Sequence, residues 1–188
     1  MDNVNKEKLC SELILSYSNK LVWIIRPKKE WSKRNGVYSL PYAGVGGKLE
    51  PKESFLNAAL RECKEEINCS PKIISSSQTT FIDLISKTDK KVNITTSIKP
   101  LFVYRKIMKG KIIFVHVYLG NLTKLPKPSS ETEALFLINK KLFLNRAFNK
   151  MKIKPTEIQI ISRVDFPSKF FFYAVGSAEY FICLLNKT

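Results

Sequence analysis

The chain is 188 residues long and carries 32 Lys and Arg against 16 Asp and Glu, a net charge of +16, with hydrophobic and charged fractions of 44% and 26%. That is the length of one domain, 1–188, with enough chain to bury a core, and the composition suits a soluble globular protein. Four cysteines with no CxxC pair or framework spacing, and one histidine, argue against a disulfide scaffold and structural zinc, and for reduced thiols in a cytoplasmic compartment.

Along the chain, Met1–Glu7 is polar and mixed, unlike a signal segment. Glu12–Ser18 and Lys20–Arg26 read as two short strands around Ser18-Asn19-Lys20, and Pro27–Pro41 as a basic loop holding Trp31, Lys33 and Arg34. Gly44–Lys52 reads as a glycine-rich loop, and Ser54–Ile67, free of Gly and Pro, as a helix. Lys72–Leu84 and Val92–Lys106 are expected to be strands joined near Thr88-Asp89-Lys90. Lys111–Leu119, rich in Ile, Phe, Val and Tyr, is expected to be a central strand, with His116 as an ordinary sheet histidine. A Pro and Ser loop, Lys124–Ser130, leads to a last strand, Ala134–Ile138, and a helix around Asn139–Lys150. The remainder, about 155–188, is expected to pack on the domain as a helix plus strand. Its apolar run Phe170–Leu185 is broken by Gly176, Ser177 and Glu179 and is too short to span a bilayer.

Residues 50–66 concentrate Glu50, Glu53, Glu62, Glu65 and Glu66 against Lys52, Arg61 and Lys64, a net of −2, which leaves +18 on the rest of the chain. An acidic island in a basic surround suits a divalent-cation site serving a polyanion: the acids hold the metal and the bases attract the substrate. Phe55, Ala58, Ala59, Cys63 and Ile67 recur at steps of three and four and form one apolar stripe. Glu62, Glu65 and Glu66 stand at i, i+3 and i+4 and share another face, where three like charges repel unless a cation lies between them. Gly44-Val45-Gly46-Gly47 precedes them, and its glycines permit close backbone approach to metal and phosphate.

From Gly47 onward these residues resemble the Nudix box: Gly, five residues, Glu, seven residues, Arg-Glu, an aliphatic residue, any residue, Glu-Glu, any residue, Gly, an aliphatic residue. Gly47, Glu53, Arg61, Glu62, Glu65 and Glu66 fall in place, a coincidence on the order of one in 10⁵–10⁶ by chance. Asn68 stands at the late glycine, where it can take a left-handed turn, and Cys63 and Cys69 fill the aliphatic slots. Val45-Gly46-Gly47 replaces the family's common Pro-Gly-Gly, the nearest proline being Pro41.

The resemblance implies an α/β fold, a Nudix-type α/β/α sandwich with a mixed β-sheet between helices. It implies hydrolysis of a phosphoanhydride with Mg²⁺, or Mn²⁺ in its place. Glu62, Glu66 and the Gly46 carbonyl would be the main metal ligands, with Glu65 a further ligand or bound through water. Arg61 would orient the glutamates, and Glu53 would support the loop. A later carboxylate, Glu131 or Glu133, would act as general base or extra ligand, with Asp83 a weaker option. Gly46, Gly47, Lys48, Arg34 and Glu131 are the expected substrate contacts. Trp31, Tyr42 and Phe81 are available for stacking on a base and Lys28, Lys29, Lys33 and Arg34 for phosphate, although packing and solvation are the commoner roles of such residues.

The function so read is Mg²⁺-dependent cleavage of the pyrophosphate bond of a nucleoside diphosphate linked to another moiety. The partner is a nucleotide or nucleotide-linked small molecule and not a membrane; RNA, given the basic charge, and a homodimer stay open. Three alternatives remain: an mRNA-cap or RNA-end pyrophosphohydrolase, a catalytically silent nucleotide- or RNA-binding module, and a prenyl-diphosphate isomerase. The intact set of box glutamates disfavours the second, and the third lacks its opposed Cys and Glu.

Overall fold

In the computed structural model, residues 7–148 and 153–185 are described. The strands are β1 (Lys8–Tyr17), β2 (Lys20–Ile25), β3 (Ser32–Arg34), β4 (Val37–Ala43) and β5 (Val45–Lys48), followed by helix α1 (Phe55–Ile67). Then come β6 (Lys72–Ile74), β7 (Thr79–Asp83), β8 (Thr88–Val92), β9 (Phe102–Met108), β10 (Lys111–Asn121) and β11 (Ala134–Asn139). Helix α2 (Lys140–Phe148), β12 (Ile158–Ser162), β13 (Phe170–Ala174) and helix α3 (Ser177–Leu185) complete the described chain.

The main path of the sheet runs β12-β11-β2-β1-β10-β9-β7-β8, and it is mixed: β1 pairs with β10 and β7 with β9 in parallel, while the other neighbours on this path are antiparallel. β1 is the pivot. One edge carries β10 along Lys8–Ser16, and the other carries β5 over Cys10–Leu13 and then β2 over Leu15–Tyr17. Alternation along β1 sends Leu13 and Leu15 to one face with α1, and Ile14 to the other face with α2 and α3. The second face is aromatic: the Trp23 ring stacks on Phe143 and lies 6.2 Å from Phe181, and Phe136 stacks on Phe172.

The acidic helix forms where its residues place it. Ser54 caps it, its hydroxyl accepting the Asn57 N–H at 3.2 Å, and Ala58, Ala59, Cys63 and Ile67 are buried. Asn68 ends it in the left-handed conformation, φ 57° and ψ 32°, its N–H returning to the Cys63 and Lys64 carbonyls. Elsewhere the boundaries differ from expectation. β1 begins four residues before Glu12. The Pro27–Pro41 loop contains the β3–β4 hairpin, and the glycine-rich loop contains a strand, β5. Lys72–Leu84 is two strands instead of one, and Thr88-Asp89-Lys90 lies within β8, the chain having already turned at 84–87. β11 is not the last strand, since β12 pairs with it and β13 pairs with β4 in parallel. The expected helix to Lys150 is seen to Phe148, and its last two residues lie outside the described residues.

His116 lies in β10 with its imidazole stacked on Phe55, centroids 3.6 Å apart and planes 8° apart. Burial lowers its pKa to about 4, against about 6.5 in an unfolded chain. The unfolded state therefore binds this proton first, and stability falls as pH drops from about 6.5 towards 4, by up to about 3 kcal/mol. His116→Phe keeps the stacked ring and removes the titration. Thermal melts from pH 7 to 4.5 should show a shallower decline in that variant than in the parent; parallel declines would contradict the assignment.

Candidate active site

The site is built on the approach of α1 to β5. Strand β5 pairs antiparallel with β1, setting Glu12 opposite Gly46 and Ser11 opposite Gly47. A Cβ at Gly47 would lie 2.2 Å from Glu62 Oε1, so the glycine's empty side is filled by that carboxylate. A Cβ at Gly46, where φ is +153°, would lie 2.2 Å from the Ser11 carbonyl oxygen, in the backbone of the neighbouring strand. Together the two glycines let a glutamate-bearing helix sit directly on a strand.

Arg61 ties this face together. Its Nε and Nη2 donate to the two oxygens of Glu53 at 3.0 and 3.1 Å, and Nη1 donates to Glu65 at 2.8 Å and Glu62 at 3.1 Å. Nη2 also donates to the Lys48 carbonyl at 2.9 Å. A planar fork suits such a multidentate role, and the hydrogen bonds raise the arginine's pKa still further, that from Glu53 contributing most. Glu53 is held below the usual carboxylate range by Arg61 and by the Glu50 N–H, which it accepts at 2.9 Å. The loop preceding α1 is thus clamped to the helix and to the end of β5.

Glu66 and Glu62 are in a different condition. The Glu66 carboxylate accepts the Gly46 N–H at 2.8 Å, yet its pKa is pushed up to about 8, chiefly by burial. The Gly46 bond and the charge of Arg26 oppose the rise, and the charges of Glu62 and Glu12 add to it. Glu62 is raised for the same first reason, burial, with Arg61 pulling it down and Glu65 and Glu131 pushing it up. Two desolvated carboxylates therefore stand beside each other under mutual repulsion.

Of the expected late acids, Glu131 is the one whose charge reaches Glu62, and with Glu65 and Arg163 it lines a groove of about 560 Å³. The Glu133 carboxylate accepts the Lys28 N–H at 2.9 Å and so fastens the single helical turn Lys28–Glu30. Asp83 is paired with Arg105 at the other end of the sheet path. Arg34 is exposed in the β3–β4 hairpin, and no hydrogen bond or ion pair among the described residues joins it to α1. Tyr42 is in the core, against Trp23 and Phe136.

Glu12 is a further residue of the site, beyond those the sequence pattern marks. It accepts the Tyr104 hydroxyl and the Ser177 N–H, both at 3.2 Å, and its charge raises the pKa of Glu66. Its one sequence signal is a carboxylate inside an otherwise apolar strand segment, Leu13–Leu15 following it directly.

Among the described residues, no three His, Cys, Asp or Glu side chains already converge as metal ligands. The donors nevertheless fit a hard divalent cation: half-buried carboxylates of Glu62 and Glu66, their pKa values raised chiefly by burial, on a glycine cradle that a side chain would fill. Arg61 holds Glu62 and Glu65 in the present arrangement.

The NUDIX domain model matches residues 13–163. No curated protein matches the chain. Among solved structures, it is similar to a MutT protein from Methanosarcina mazei Go1, at 16% identity and TM-score 0.49 over 83% of this chain and 90% of that one. A NUDIX-family hydrolase from Clostridium perfringens gives 17% identity and TM-score 0.49, covering 72% of this chain and 83% of that one. A C. elegans Ap4A hydrolase gives 15% and 0.49, covering 73% and 84%. The chain belongs to the NUDIX family, with its α/β/α sandwich. As an enzyme it is accordingly a pyrophosphohydrolase.

The two glycines should separate stability from activity. At Gly47→Ala the only obstacle is the end of a flexible glutamate, so the melting temperature should stay within about 2 °C while turnover falls at least about tenfold as Glu62 is displaced. At Gly46→Ala the obstacle is backbone and the φ is unfavourable, so stability should fall by roughly 1–3 kcal/mol or more. Thermal melts and steady-state assays of the two variants check both; equal melting losses would contradict the geometry.

Proposed function

We propose that the chain is a Mg²⁺-dependent hydrolase that cleaves the pyrophosphate bond of a nucleoside diphosphate linked to another moiety. The observation that carries this reading is the pair of half-buried, partly desolvated carboxylates, Glu62 and Glu66, seated on Gly46 and Gly47 within a basic chain. Glu62, Glu66 and the Gly46 carbonyl would hold the metal, with Glu65 joining them. When bound, the metal supplies charge neutralisation at the phosphoryl oxygens and a more acidic water. Arg61 and Glu53 keep the glutamates and the loop in register. Glu131 is the proposed proton acceptor for the attacking water, because Glu133 is already engaged by the Lys28 amide. The basic surface would speed arrival of an anionic substrate.

No helix among the described residues is long and apolar enough to cross a membrane. The four free cysteines suit a reducing, cytoplasmic compartment, and residues 1–188 are proposed to act as one catalytic unit.

The test is a hydrolysis screen with Mg²⁺ over nucleoside triphosphates, ADP-ribose, dinucleoside polyphosphates, NADH, coenzyme A and capped RNA. Glu66→Gln should lose several orders of magnitude in turnover with the fold retained by circular dichroism. Glu131→Gln should reduce kcat about 10²-fold or more, and Glu133→Gln should mainly lower the melting temperature. Near-normal turnover in Glu66→Gln would sink the metal assignment, and a larger kcat loss in Glu133→Gln than in Glu131→Gln would reverse the choice of base.

A further inference from the structure

A second cleft, of about 550 Å³, lies between the β3–β4 hairpin and the segment joining β12 to β13. Its walls include Lys28, Trp31, Lys33, Tyr38, Phe166 and Lys169. The volume is within the range of small-molecule sites. One wall, with Phe166 and Lys169, lies beyond residue 163, where the NUDIX match ends, while Lys28, Trp31, Lys33 and Tyr38 lie within it.

Aromatic rings and ammonium groups alternate around it. Lys28 Nζ is 5.9 Å from the Trp31 ring centroid, and Lys33 Nζ is 5.1 Å from that of Tyr38. The Trp31 ring is fixed on three sides: it tilts against Phe166 at 5.3 Å, meets Tyr38 edge-on at 6.5 Å, and its indole N–H donates to the Arg26 carbonyl at 2.6 Å. Among the described residues, none of Lys28, Lys33 and Lys169 forms an ion pair. Asp165 also borders the cleft, which leaves its wall at a net +2. A purely apolar ligand would leave the three cations unanswered, and a simple anion would leave the rings unused. A flat base carrying a phosphate answers both.

The cleft also adjoins the acid cluster. The Lys28 N–H donates to the Glu133 carboxylate, and the Glu133 carbonyl accepts the Arg163 N–H at 2.9 Å. Arg163 in turn lines the groove that holds Glu65 and Glu131. Arg26, whose carbonyl holds Trp31, also carries a charge that acts on Glu66.

We propose that this cleft binds a nucleoside 5′-phosphate, its base against Trp31 and Phe166 and its phosphate among Lys28, Lys33 and Lys169. As a substrate-binding element it rests on the function proposed above. The nucleotide could belong to a small linked substrate or to the strand of an RNA, and the shared chemistry is the base with its phosphate.

The test is equilibrium binding of AMP in EDTA, read by tryptophan fluorescence. Trp23 is fully buried, so quenching reports on Trp31. AMP should quench saturably, and adenosine and ribose 5-phosphate should each bind at least tenfold more weakly. The triple variant Lys28→Gln, Lys33→Gln, Lys169→Gln replaces exposed side chains, so it should fold normally and lose at least tenfold in AMP affinity. Trp31→Phe should abolish the quenching. Unchanged AMP affinity in the triple variant, or quenching retained in Trp31→Phe, would overturn the proposal. Glu66→Gln should bind AMP like the parent, which separates the two readings. AMP binding at the cleft in a protein inactive on every phosphoanhydride would keep the cleft and remove the proposed reaction. An active enzyme whose triple variant binds AMP normally would do the reverse. Oligoadenylate binding tenfold more tightly than AMP assigns the nucleotide to an RNA strand, and equal affinity assigns it to a small substrate.

Discussion

The close seat of α1 on β5 is the constraint on which the rest of the site depends. Two positions without side chains, Gly46 and Gly47, let the helix descend until the Glu62 carboxylate fills the place of one missing Cβ and Glu66 bonds to the amide of the other. At that depth the carboxylates lose water, and their acidity falls. The protein tolerates the repulsion because Arg61 answers three carboxylates at once, Glu53, Glu62 and Glu65, and also grips the Lys48 carbonyl. Cation binding would replace part of what the arginine now supplies, which gives a physical reason for a metal to be welcome at this face.

The late acids are sorted by what surrounds them. Glu131 and Glu133 are two residues apart in a loop and look alike in the sequence, yet one lines the groove beside Glu65 while the other fastens a turn of the basic segment. Through that turn the acid cluster and the aromatic cleft become neighbours. The lysines spread over the strands and loops contribute attraction in general, whereas Lys28 and Lys33 gain a specific setting from the rings beneath them.

The helix was legible because its signals are local. A serine cap, an apolar stripe at steps of three and four, and an asparagine suited to positive φ all act within one turn of where they stand. The strands around it were less so. Val45–Lys48 is half glycine, which disfavours a strand, and it is one only because β1 supplies hydrogen-bond partners. Thr88-Asp89-Lys90 is polar and reads as a joint between strands; it lies in a strand, Thr88–Val92, at the end of the sheet path, where such residues are at home. Val37–Ala43 was obscured by Pro41, which lacks a donor but whose carbonyl still accepts the Arg26 N–H. Glu12 was hidden for a different reason: the groups that give it meaning, Tyr104 and Ser177, stand 92 and 165 residues further along the chain.

That separation bears on how the molecule comes to exist. The strand that carries Glu12 is clasped in parallel by β10, with Lys8 opposite Ile113 and Ser16 opposite Asn121. Loops of that length are closed at an entropic cost before their contacts repay it, so folds rich in them form slowly. On a ribosome the amino-terminal strand would leave the tunnel long before its parallel neighbour is made, and its apolar edge would wait for most of the chain. The acid-bearing helix can coil early, but the strand beneath it gains its full surroundings only when the C-terminal segment arrives and Ser177 reaches Glu12. Assembly of the site is therefore a late event in the life of the chain, although its glycines and its helix-borne acids are written by residue 66.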